Sequence, residues 1–142
     1  MIDIKLLEQL CLCNGISGDE GNVRNLIINE IKDCADDIKT DNLGNLIVFK
    51  KGKKSAKSKL MVSAHMDEVG LMVTDITSDG YLKFDEVGGI DRRVLPGKRV
   101  CVGRNGLNGV IGVKPIHLTN GDEKTAVPKM NDCLLYTSPS PR

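Results

Sequence analysis

The sequence predicts an α/β protein in which a helical opening and a hairpin are joined to short strands belonging to a small antiparallel barrel. Three observations carry that expectation. Apolar residues recur at helical spacing only near the start of the chain, the period turns strand-like at about residue 38, and from residue 60 short apolar segments alternate with turn signals.

Taken in order, Ile4, Leu7 and Leu10 share one face of a short amphipathic helix. The chain breaks at NGISG (14–18), where Ser17 and Glu20 have the S-x-x-E spacing of a capping box at the start of a second helix. Val23, Leu26, Ile27, Ile31 and Cys34 give that helix an apolar face reaching about Ala35. Residues 38–50, IKTDNLGNLIVFK, read as two strands about a turn at Asn42 to Asn45, with Gly44 able to take a positive φ. The six lysines of 50–59 have no aromatic residues among them and no phosphate-loop pattern, so they read as a solvated loop. Strands are expected at Leu60–Ala64, Val69–Ile76, Tyr81–Val87, Lys98–Val102 and Val110–Val113. The last ten residues (133–142), CLLYTSPSPR, abandon the alternation for Ser and Pro and look like translated sequencing adapter, a non-native tail, so they are set aside from the fold reading.

Composition narrows the function. At 142 residues, 40% hydrophobic and 27% charged, the chain fits a globular protein with a core. A net charge of +1 offers no electrostatic case for nucleic acid or an anionic membrane as partner. No apolar run approaches a bilayer span, and the start lacks a basic n-region and cleavage site. Five cysteines without framework spacing read as reduced thiols, and a cytoplasmic location is expected. Cys11 and Cys13 lie within the first helical pattern and are expected to pack in a core.

The chemistry concentrates in 60-LMVSAHMDEVGLMVTDI-76. There, one of the chain's two histidines, His65, stands two residues before Asp67. Extended backbone puts side chains at i and i+2 on one face, so carboxylate and imidazole would lie side by side near the end of a strand. A carboxylate that accepts one ring N–H fixes the tautomer and leaves the other nitrogen free for a metal. H-x-D alone is a weak motif, and a histidine paired to a carboxylate for packing, with no metal, satisfies it too. Ser63 lies in no nucleophile elbow, and His117 reads as a structural or inter-subunit residue.

The stretch 63-SAHMDEVGLMVTDI-76 resembles the metal-binding strand of the glutamyl- and deblocking-aminopeptidase family, co-catalytic zinc peptidases that build tetrahedral particles. Further segments resemble that family in its order: 15-GISGDEGNVRNLI-27, 40-TDNLGNLIVFKKG-52, 86-EVGGIDRRVLPGKRV-100 and 109-GVIGVKPIHL-118. The resemblance implies that His65 is a metal ligand and that Asp67 is the supporting residue of the catalytic site that orients it. It implies residues 1–68 as the N-terminal part of a catalytic α/β domain, and 69–132 as part of an inserted β-barrel dimerisation domain. It further implies two divalent ions per subunit, zinc or cobalt, a peptide substrate, and dimers assembling to a dodecamer. The family's remaining ligands and its general-base glutamate lie beyond the β insertion, so the chain is expected to be an inactive N-terminal fragment. Two other readings compete. One is a non-enzymatic β-rich assembly or binding module. The other is a glycoside hydrolase, because some family members carry an endoglucanase label. Against the latter, Asp67, Glu68, Asp85, Glu86 and Asp91 have no spacing that makes a facing pair, and two Tyr, two Phe and no Trp leave little to stack on sugars.

Overall fold

A computed structural model describes residues 3–54, 58–113, 127, 129, 130 and 133–137. The chain divides into two compact units, Met1–Glu68 and Val69–Arg142. The class is α/β: the first unit holds both α-helices and a hairpin, and the second holds an antiparallel sheet.

In the first unit α1 spans Ile4–Leu12 and α2 spans Gly21–Ile31. Asp3 caps α1, its carboxylate accepting from the amides of Lys5 (3.0 Å) and Leu6 (3.2 Å). Cys11 on this helix is exposed and Cys13, just past its end, is half-buried, so the core position expected for the C-x-C pair is corrected. The capping box at Ser17 and Glu20 is also corrected. A turn occupies 16–19, closed by the Asp19 amide donating to the Ile16 carbonyl at 2.8 Å. That turn delays the helix, so Glu20 itself becomes the N-cap. Its carboxylate turns back to accept from the Gly18 amide at 2.6 Å instead of bonding into the helix. At the far end the helix stops at Ile31, short of Ala35, although the Ala35 amide still reaches the Ile31 carbonyl at 3.0 Å.

Strands β1 (Asp37–Thr40) and β2 (Leu46–Phe49) pair antiparallel as the sequence predicts. Their turn is built on Asp41, whose carboxylate accepts from the amides of Leu43 (3.0 Å) and Asn45 (2.8 Å) and from Asn45 Nδ2 (2.9 Å). Gly44 has φ +87°, and Arg24 Nη1 donates to its carbonyl at 2.9 Å, tying α2 to the turn. The lysine-rich residues described after β2 carry no helix or strand and are exposed.

Leu60–Ala64 is not a strand, contrary to expectation. Leu60, Met61 and Val62 are 91%, 87% and 86% exposed. Apolarity suited the segment to a sheet interior, but a strand exists only where a neighbour receives its amides and carbonyls, and β1 and β2 are paired with each other. What pairing it makes comes later, as a single parallel bridge between Ile16 and Glu68.

The second unit contains β3 (Gly70–Ile76), β4 (Leu82–Val87), a 3-10 turn (Arg92–Val94), β5 (Arg99–Val102), β6 (Leu107–Val113) and β7 (Cys133–Thr137). They form one antiparallel sheet in the order β3-β4-β7-β6-β5. Among the described residues no pairing joins β3 to β5. The strand in the middle, β7, comes from the terminal segment that the sequence reading set aside. Its Cys133 and Leu135 alternate inward and are buried, which is enough apolar side chain to hold a five-residue strand despite the Ser and Pro that follow. It pairs with β6 over five residues and with β4 through Leu82 and Leu135 alone. The core of this unit gathers Phe84, Leu95, Ile111, Met130, Cys133 and Leu135.

Candidate metal centre

His65 and Asp67 meet, as the i and i+2 spacing predicts, although the extended backbone that carries them lies outside any strand. His65 Nδ1 sits 2.9 Å from the Asp67 carbonyl oxygen and 3.1 Å from Asp67 Oδ1. A carbonyl oxygen and an ionised carboxylate both accept and cannot donate. In the neutral imidazole Nδ1 therefore carries the ring proton and Nε2 the lone pair. The His65 side chain is 85% exposed and Asp67 is 41% exposed, so the imidazole is presented outward while its partner is partly covered. A neutral imidazole with a free Nε2, held by a carboxylate behind it, is the donor arrangement of a metal-binding histidine.

This pair fits one corner of a metal site. A catalytic zinc centre takes three protein ligands plus water. Among the described residues no group of three or more His, Cys, Asp or Glu gathers at metal-holding distance. His117 lies outside the described residues.

Two residues that the sequence reading did not connect with this pair complete the setting. Glu68 follows Asp67 directly, and its amide donates to the Gly15 carbonyl at 2.8 Å. The Gly15 amide in turn points to Glu68 Oε1 at 3.3 Å. Gly15 is buried, and a Cβ there would come within 2.6 Å of Val23 Cγ2 and 3.2 Å of the Met66 carbonyl oxygen. The only local signal was the glycine-bearing break before α2; nothing in spacing links it to a residue more than fifty positions away.

The acids weighed for glycoside chemistry are otherwise engaged. Arg92 grips Glu86 through Nη2 (2.6 Å) and Nε (3.3 Å), and this guanidinium holds the Glu86 carboxyl below its ordinary value. Arg93 does the same to Asp91, which is lowered to about 2. Carboxyls kept ionised this way are poor proton donors for leaving-group oxygens. No helix among the described residues is long and apolar enough to cross a membrane.

Known proteins resemble this chain in sequence and in fold. A lysyl aminopeptidase of Pyrococcus furiosus is 39% identical over 121 residues, covering 83% of this chain and 34% of that protein. A crystal structure of an endoglucanase from Thermotoga maritima superposes with a TM-score of 0.76 at 44% identity, covering 91% of this chain and 37% of that one. The TET1 peptidase of Pyrococcus horikoshii, which can assemble into a tetrahedron or a large octahedral shell, superposes with a TM-score of 0.77 at 43% identity, covering 94% and 39%. The chain spans about a third of the length of the curated relatives it matches. The model of the M42 glutamyl aminopeptidases matches residues 44–138, more than half of the sequence. With its helices, hairpin and sheet superposing on shell-forming peptidases and its H-x-D pair inside the matched region, this chain belongs to the M42 glutamyl aminopeptidase family.

Proposed function

We propose that this chain supplies one metal ligand, His65, and its supporting carboxylate, Asp67, to a metal-dependent aminopeptidase that removes N-terminal residues from short peptides. The observation that carries the reading is the contact of His65 Nδ1 with the Asp67 carbonyl and carboxylate oxygens, which in the neutral imidazole leaves the lone pair on Nε2. Family membership and the aminopeptidase relatives support the substrate class. Residues 1–68 would belong to the catalytic α/β domain. Residues 69–132 would belong to an inserted barrel that joins dimers on the way to a dodecameric shell; a dodecamer is described for PhTET1-12s. The metals would be two divalent ions, zinc or cobalt, and the location cytoplasmic. Such ions, when bound, acidify water to a nucleophile and polarise the scissile carbonyl. This chain's own part is to hold the His65 proton at Nδ1 through Asp67 and to aim Nε2.

The test uses the gene product at the full length of its relatives. His65→Ala is expected to lower the metal content per subunit and to abolish release of leucyl or glutamyl anilides. Asp67→Ala is expected to weaken metal affinity by about 10- to 100-fold, the usual consequence of losing the partner behind a ligating histidine. Unchanged metal content and turnover in His65→Ala would overturn the proposal, as would release from β-glucan with none from the anilides.

A further inference from the structure

Asp67 can orient His65 only if Asp67 is itself held. Both contacts to Nδ1 come from this one residue, through its main-chain carbonyl and its carboxylate, so any drift of the backbone at 66–68 moves both together. No strand ladder restrains that backbone on the His65 side, because residues 60–67 lie outside the sheets. What restrains it is the paired contact of Glu68 with Gly15. The Glu68 amide donates to the Gly15 carbonyl at 2.8 Å, and the Glu68 carboxylate accepts from the Gly15 amide at 3.3 Å. One residue thus closes a ring of two hydrogen bonds on another, a side chain standing in for the carbonyl that a neighbouring strand would have offered.

Gly15 is the anchor because it has no side chain. It is buried against Val23 on α2, and a Cβ would meet both the Val23 methyl at 2.6 Å and the Met66 carbonyl oxygen at 3.2 Å. Val23 is branched at Cβ and buried, so it has little freedom to give way. The histidine loop is therefore seated on the first helix pair through backbone contact at a single glycine.

We propose that Glu68 is a positioning residue: by clasping Gly15 it fixes the Asp67 carbonyl and carboxylate against His65 Nδ1, and with them the tautomer and aim of Nε2. The consequence for metal affinity rests on the proposed function above, whereas the effect on the imidazole does not. A merely structural carboxylate at the surface would leave the histidine tautomer unmoved.

The chain has only two histidines, which makes the test direct. Long-range ¹H–¹⁵N correlation of the ¹⁵N-labelled chain at pH 8 reads the tautomer of each ring, and His65→Ala assigns the pair. Wild-type His65 is expected to show the Nδ1–H pattern. Glu68→Ala is expected to give a mixed pattern, and Glu68→Gln to restore the wild-type one, since its amide oxygen still accepts from Gly15. Gly15→Ala is expected to resemble Glu68→Ala. The amides of Leu43 and Asn45, bonded to Asp41 in the hairpin, report whether each variant remains folded. If Glu68→Ala disturbs those amides, Glu68→Gln and Gly15→Ala decide. A retained Nδ1–H pattern in Gly15→Ala, or its loss in Glu68→Gln, would overturn the proposal. In the full-length protein Glu68→Ala should weaken cobalt binding at least 10-fold while Glu68→Gln stays within about 3-fold. Should His65→Ala leave cobalt binding intact, the aminopeptidase reading fails, while the tautomer result still decides the role of Glu68.

Discussion

At the scale of single residues, the chain separates what spacing reveals from what only folding reveals. His65 and Asp67 were readable because an interval of two in extended chain puts side chains together whether or not a sheet forms. Gly15 and Glu68 were not, because their contact joins segments with a helix and a hairpin between them. Ion pairs show the same division. Asp91 stands two residues before Arg93 and is held at about 2, first by the Arg93 side chain and then by its amide. Because the folded value lies below the ordinary 3.8, this pair contributes its stabilisation fully above pH 3.8 and loses it as pH falls through about 2. A carboxyl-carbon titration should place the Asp91 midpoint near 2, and Arg93→Leu should move it back toward 3.8, short of the full distance because the amide bond survives. A midpoint unmoved by Arg93→Leu would show that the guanidinium is not the cause.

At the scale of elements, short-range turn chemistry was dependable and apolarity alone was not. The β1–β2 hairpin followed from Asn, Asp and Gly at fixed offsets, each with its own bond to make. The S-x-x-E pattern failed because, beside the turn at 16–19, the Glu20 carboxylate takes the Gly18 amide and not that of Ser17. Leu60–Ala64 is more apolar than β7 yet forms no strand, while Cys133–Thr137 becomes the middle strand of a sheet. Composition states which faces need cover; it does not state which backbone lies alongside. The hairpin provides a quantitative check. Gly44→Ala must place a Cβ in left-handed backbone and within 3.0 Å of Arg24 Nη1. It should destabilise the folded state by about 1–2 kcal/mol, the cost of left-handed backbone for a residue with a side chain. A urea midpoint unchanged at constant slope would contradict that.

At the scale of the whole molecule, the α/β class and the succession of helices, hairpin and β-rich unit were all legible, since the hydrophobic period changes where the elements change. The sheet order was not, because strand pairing is a property of the assembled chain. The first unit also leaves a contiguous apolar stretch, Leu60 to Val62, almost wholly uncovered. Such a stretch should bind an apolar reporter dye. Replacing the three with serine (L60S, M61S and V62S together) should cut that fluorescence by more than half without altering helix content by circular dichroism; undiminished fluorescence would place the exposed surface elsewhere. The threading of β7 between β4 and β6 has a consequence in time. During synthesis the β3–β4 and β5–β6 ribbons can each form as soon as they leave the ribosome, but they stay strangers, flanking a gap, until residues 133–137 emerge to bridge them. Half-made copies of this sheet would offer two raw margins to any passing chain, a hazard that chaperones are there to meet.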